Sequence, residues 1–215
     1  MGTNVLKYMN SEYHGYKYVI WEVDDDQLFN LKTNTSFNED LMRSFDFASK
    51  NIKPPQVNGN AYSTMANEPI KYKDFESFLN LLMPKLRNNL YKLWNKDIKK
   101  SIATKCWANR MHKDSSGKIH KHNSIGNDKI KVFSLIFYYN VPLINSADLV
   151  FLNPKKYSNS FEDIDIETIE ENDKLHFKVL EGMCILHDGD IPHAVSIHKN
   201  ESPRDAIILD FFFET

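Results

Sequence analysis

Cysteine is almost absent from this chain: two residues in 215, Cys106 and Cys184, each beside apolar neighbours. A disulfide framework is therefore excluded as the source of stability, and the pair reads as buried thiols of a reduced, cytoplasmic protein. Glycine, with 7 residues, and proline, with 8, are too scarce for a collagenous, low-complexity or loop-rich architecture. Charge of one sign is missing too. Lys and Arg total 27 against 29 Asp and Glu, a net charge of −2 that gives no footprint for nucleic acid or an anionic membrane. No apolar run approaches the roughly 20 residues needed to cross a bilayer, and Met1 to Tyr8 lack the basic-then-apolar order of a signal peptide. Met1-Gly2 begins a myristoylation pattern, but Leu6 stands where Ser or Thr is required. What remains is an ordinary globular composition, 41% hydrophobic, 26% charged and 13% aromatic. The length suits one domain with a sizeable core, residues 1–215.

Two halves differ in pattern. Residues 1–104 are mixed and helical. Tyr16 to Val23 is β-branched and aromatic and reads as a first strand. Asn38 to Ala48 opens on a capping residue with acids behind it and reads as a helix, closed by Pro54-Pro55. Residues 53–72 read as an irregular connection. The clearest helix starts at Asp74, with Phe75, Phe78, Leu79, Leu82, Leu86, Leu90 and Leu93 in one stripe. Pro84 interrupts it and predicts a kink or a split. From Lys105 the period shortens to that of strands. Runs at 132–139, 148–152, 178–186 and 206–213 are β-type, and the acidic stretch 155–177 reads as a solvated loop with short strands. Helices followed by closely spaced strands predict a mainly β, α+β fold. Its core would be a jelly roll (a double-stranded β-helix, cupin-like) over residues 105–215, with the N-terminal helices packed outside.

The chemistry concentrates near the C-terminus. His193 closes one apolar strand and Arg204 opens the next, eleven positions on. In an antiparallel barrel, strands joined by such a loop place both side chains side by side at the mouth. A neutral imidazole there holds a metal, and a guanidinium clamps a carboxylate through two parallel hydrogen bonds. Residues two apart on an extended strand share a face, so a His-x-Asp or His-x-His pair supplies two more ligands. Two such pairs exist, His112-Lys113-Asp114 and His120-Lys121-His122. The first has the carboxylate usual in non-haem iron sites; the second does not.

A run of motifs favours the second pair. Trp107-Ala-Asn-Arg, His120-Lys-His-Asn-Ser, Phe137-Tyr-Tyr-Asn-Val-Pro, Leu149-Val-Phe-Leu-Asn-Pro, Gly182, Pro192-His-Ala-Val and Arg204 occur in that order. Together they resemble the Fe(II)- and 2-oxoglutarate-dependent oxygenases of phages and marine bacteria, over about residues 105–213. The resemblance implies Fe(II) on His120, His122 and His193, with His112 and Asp114 as the alternative pair. It implies 2-oxoglutarate as co-substrate, its far carboxylate on Arg204, and contacts from Tyr138 and Asn109. The partners implied are dioxygen and a small-molecule or peptide substrate, with neither nucleic acid nor membrane. Two departures stand out: about six extra residues around Asn127–Lys131, and Ala206 where the pattern has Ser or Thr, leaving Ser196 or Ser202 as substitute hydroxyls.

Other histidines have plainer readings. His14, His176 and His198 read as surface or turn residues, and Asp188-Gly189-Asp190 beyond His187 as a turn with acceptor side chains. Of Tyr138 and Tyr139, which face opposite sides of a strand, one looks into the barrel. Ligand histidines must be neutral, so activity is expected to fall as pH drops toward about 6.5. Two other functions fit the same residues. One is a three-histidine cupin-type dioxygenase that does not use 2-oxoglutarate; the other is a catalytically silent jelly-roll binding module.

Overall fold

The computed structural model describes residues 8–50, 57–59, 61–64, 75–94, 100–122, 130–157 and 164–214. Twelve strands and three helices are found among them. In chain order these are β1 Tyr8–Tyr13, β2 Tyr16–Glu22, α1 Asp25–Thr33, α2 Thr35–Ser49, β3 Val57–Asn58, β4 Ala61–Ser63, α3 Glu76–Trp94, β5 Lys100–Met111, β6 Ser116–His120, β7 Ile130–Asn140, β8 Leu149–Leu152, β9 Lys174–Phe177, β10 Met183–Asp188, β11 His193–Val195 and β12 Arg204–Glu214. Seven strands form one sheet in the order β1-β2-β10-β7-β12-β5-β4, and five form another in the order β3-β6-β11-β8-β9. Every pairing is antiparallel. No helix among the described residues is long and apolar enough to cross a membrane.

Period-two alternation divides the seven-stranded sheet between two cores. Leu135 and Phe137 of β7, with Ile207, Leu209 and Phe211 of β12, face a cluster built with Phe37, Leu41 and Phe45 of α2 and Phe78, Leu82 and Leu86 of α3. Their neighbours Ile136, Tyr138, Ala206 and Ile208 face the other way, against Leu149 and Phe151 of β8 and Phe177 of β9. The two sheets thus pack face to face, and the helices cover the outer face of the larger one.

The helix stripe is buried from Phe75 to Leu90, as the periodicity predicts. Pro84 does not split α3. It lies on the exposed side of the helix, as does Asn80 one turn before it, where a missing amide donor is least costly. The cap of α2 is Asn34, four residues before the expected Asn38, and it accepts a hydrogen bond from the Phe37 amide. The expected run 178–186 begins its strand only at Met183, because Gly182 turns with a φ of +81°. Pro54-Pro55, Asp74 and most of 53–72 lie outside the described residues. Cys106 and Cys184 are buried and free. Burial pushes the Cys106 thiol up to about 12.

Candidate metal centre

Between the two sheets lies a cavity of about 210 Å³, and both sheets supply its chemistry. From the smaller sheet come His120 at the end of β6 and His193 at the start of β11, directly opposite each other in register. His122 follows β6, its backbone held by an amide bond to Gly189 O at 2.9 Å. One nitrogen from each of His120, His122 and His193 lies within 4.8 Å of the others. His112 and Asp114 stay outside this group. His112 packs on Tyr62 with ring centroids 5.5 Å apart, and Asp114 sits in the turn before β6 at a φ of +63°.

The donor set suits a divalent transition metal. His120 Nδ1 lies 2.8 Å from Lys118 O and His193 Nδ1 lies 2.9 Å from Ile191 O. A carbonyl only accepts, so each Nδ1 carries the proton and leaves Nε2 as the bare donor. His122 Nδ1 lies 2.6 Å from Asp210 Oδ2, which directs its Nε2 forward in the same way. Trp107 stacks on the His122 ring at 5.7 Å and 19°. Burial, reinforced by the neighbouring rings, holds His120 down to about 4 and His193 well below the usual histidine range. Burial thus favours the neutral, metal-binding form of these two imidazoles.

Arg204 opens β12 in the larger sheet, so it faces His193 across the cavity from the opposite sheet. The expectation of neighbouring strands side by side is corrected here: the loop between them crosses from one sheet to the other. The guanidinium is 2% exposed and forms no ion pair among the described residues. Its contacts are Met111 Sδ at 3.3 Å and the Tyr138 ring, 4.8 Å from the guanidinium carbon to the centroid. Among the described residues Nε has no hydrogen-bond partner, nor do the buried Tyr138 hydroxyl and Asn109 Oδ1 on the same wall. Burial pushes the Tyr138 phenol up to about 12. Tyr139, one residue on, points to the helices and donates to Asn38 Oδ1.

The remaining expectations divide. Ser196 Oγ accepts from the Asp148 amide at 2.9 Å, and the Ser202 amide donates to Asn200 Oδ1 at 2.8 Å; neither serine lines the cavity. His198 is not a surface residue. It is fully buried and ties two loops together, with Ala147 N donating to Nδ1 at 3.3 Å and Nε2 donating to Ser202 O at 2.8 Å. The turn at Asp188-Gly189-Asp190 is present, and Asp188 Oδ1 accepts from the Asp190 amide. Most of the insertion around Asn127–Lys131 lies outside the described residues. Asp210, Ser134, His187 and Gly189 were not singled out as site residues, although a charge inside Ile207-Ile-Leu-Asp-Phe-Phe and a hydroxyl inside Val132-Phe-Ser-Leu-Ile were signals for two of them.

No protein-family model and no curated protein matches the sequence. Solved structures do match the fold. A viral collagen prolyl hydroxylase from Paramecium bursaria Chlorella virus-1, in complex with 2-oxoglutarate, aligns at a TM-score of 0.57 and 12% identity over 97% of each chain. A prolyl-4-hydroxylase of Pseudomonas putida aligns at 0.55 and 11%, covering 97% of this chain and 93% of that one. HygX of Streptomyces hygroscopicus, with nickel and 2-oxoglutarate bound, aligns at 0.56 and 12%, covering 89% and 87%. At such identities the likeness is one of fold.

Proposed function

We propose that this chain is a non-haem Fe(II)- and 2-oxoglutarate-dependent dioxygenase with His120, His122 and His193 as its metal ligands. In this reading residues 1–215 form one oxygenase domain on a double-stranded β-helix core, of the His-x-His type seen in phages and marine bacteria. The observation that carries it is Arg204, a buried guanidinium with no carboxylate paired to it among the described residues, in the same cavity as three convergent imidazoles. A buried cation of that kind is costly unless an anion completes it. Fold neighbours carry 2-oxoglutarate, in one case beside nickel, which supports the choice of anion.

Iron and 2-oxoglutarate, when bound, would use dioxygen as oxidant, one oxygen atom going to succinate, formed with carbon dioxide, and the other to a small-molecule or peptide substrate, with hydroxylation as the outcome we propose. The chain's own residues do the rest. The three Nε2 atoms would hold the metal. Arg204 clamps the distant carboxylate in a bidentate pair, which lysine would not reproduce. The Tyr138 hydroxyl and Asn109 border that position, and apolar Trp107, Ile136 and Ile208 exclude water around it. The two free buried thiols fit a reducing, cytoplasmic setting.

Calorimetric titration of 2-oxoglutarate, without oxygen, into protein with and without Mn(II) tests the reading. We expect binding that needs the metal and is weakened in Arg204→Ala. A three-histidine dioxygenase of another type, or a silent binding module, would bind no 2-oxoglutarate under either condition.

A further inference from the structure

Three polar atoms buried behind His122 have no partner among the described residues: Asp210 Oδ1, Ser134 Oγ and His187 Nε2. They are not scattered. Ser134 on β7 is directly opposite Asp210 on β12 and directly opposite His187 on β10. Opposed residues of an antiparallel pair put their side chains on the same face with Cβ atoms about 4.5–5.5 Å apart. The three groups therefore form a row across three neighbouring strands, on the face that looks toward the cavity. Ser134 and His187 are wholly buried, and His187 packs edge-on against His193 at 4.9 Å and His122 at 6.0 Å.

Their hydrogen-bonding needs are complementary. His187 Nδ1 donates to Asp188 O at 2.8 Å, so Nε2 is a bare acceptor. Asp210 Oδ1 is a second acceptor, since Oδ2 already accepts the hydrogen bond from His122 Nδ1. The Ser134 hydroxyl donates. One water can give its two protons to the two acceptors and accept from the hydroxyl, which meets the two-to-four partners a buried water requires.

Resting on the metal-centre reading, we propose that Asp210, Ser134 and His187 form a buried polar chain, closed by one water, that orients His122. In the commonest sites of this chemistry a carboxylate binds the metal directly. Here the position is an imidazole, and the carboxylate stands one step further out, gripping that imidazole from behind. It fixes the ring's proton on Nδ1, makes Nε2 a stronger donor, and returns part of the negative charge that three neutral ligands lack. Asp210 is thus a positioning residue.

The test is Mn(II) titration of the metal-free full chain, without co-substrate, and the visible spectrum of the Co(II)-loaded protein. Asp210→Asn, similar in size and still an acceptor, is expected to weaken Mn(II) binding about 10- to 100-fold. It should also shift the Co(II) absorption, while the metal-free melting midpoint holds or rises. Ser134→Ala should weaken binding less, and should add nothing once Asp210→Asn is present. A high-resolution crystal structure of the parent should show a water touching Ser134 Oγ, Asp210 Oδ1 and His187 Nε2. Unchanged affinity and spectrum in Asp210→Asn overturn the inference, as do strictly additive losses, or a metal or no density at the water position. Failure of the parent to bind Mn(II) instead overturns the metal centre itself. Should Asp210→Asn not fold, the crystal structure and Ser134→Ala decide.

Discussion

Replacing Arg204 by methionine should make the ligand-free protein more stable and blind to 2-oxoglutarate. The guanidinium is 2% exposed with a thioether and an aromatic face as its partners. Burying an ion is penalised by several kcal/mol, whereas the contact with Tyr138 returns about 2. Methionine fills a similar space with nothing to desolvate, so a net gain of about 1–2 kcal/mol is expected. For a chain of this size that is a rise of about 2–8 °C in melting midpoint. Binding moves the other way. Two charge-assisted hydrogen bonds contribute roughly 1.5–3 kcal/mol each, so their loss weakens the co-substrate on the order of a hundredfold or more. The assay is thermal melting of Mn(II)-loaded protein across a 2-oxoglutarate series. The parent gains about 2.7 kcal/mol at one hundred times its Kd, and Arg204→Met gains about 0.4 kcal/mol or less over the same range. A variant that melts below the parent without ligand, yet keeps the ligand-induced shift, would refute the reasoning on both counts.

Two further outcomes follow from the same geometry. A Cβ at Gly189 would lie 2.7 Å from His122 O and 2.8 Å from Val132 O, both backbone atoms, so Gly189→Ala must push His122 aside. We expect a loss of about 1–3 kcal/mol in urea unfolding together with weaker Mn(II) binding; stability lost with Mn(II) affinity unchanged would separate that glycine from the site. His120, His187 and His193 are all held below the ordinary histidine range by burial, the first to about 4 and the second to about 3. The unfolded chain takes up protons near pH 6.5 and the folded one does not, so metal-free stability is full above about 6.5 and falls as pH drops toward 4. Each group contributes up to about 1.4 kcal/mol per pH unit in that window. Urea midpoints that stay flat between pH 7 and 5 would contradict this.

Much of the site was legible because strands write their faces into the sequence. The even spacing of Arg204, Ala206 and Ile208 assigns them to one face of a strand, whereas spacing leaves two His pairs open; the choice of His120 and His122 rests on the family resemblance, and His122 lies just past the strand that ends at His120. The stripe from Phe75 to Leu90 likewise announced the helix that covers the sheet. What escaped was partnership across sheets. Nothing in the ten residues between His193 and Arg204 says that the chain changes sheet, and period-two logic cannot tell a facing strand from a neighbouring one. Asp210 escaped for a related reason: within an apolar run a carboxylate reads as a flaw until its acceptor role to His122, 88 positions away, is seen. His198 read as a turn residue because its two loop partners at 147 and 202 are set by tertiary packing, not by neighbours in sequence. Strand β1 and helix α1 escaped through weak patterning, whereas β2 was legible from Tyr16 onward; α1 buries only Leu31.

Everything proposed for this site requires that three imidazoles hold one metal ion whose 2-oxoglutarate also reaches the Arg204 guanidinium. Its most direct measurement is the absorption spectrum of the protein with Fe(II) and 2-oxoglutarate in the absence of oxygen. The parent should develop a weak visible charge-transfer band, and His193→Ala should develop none. A featureless parent spectrum, or the same band in His193→Ala, would contradict it.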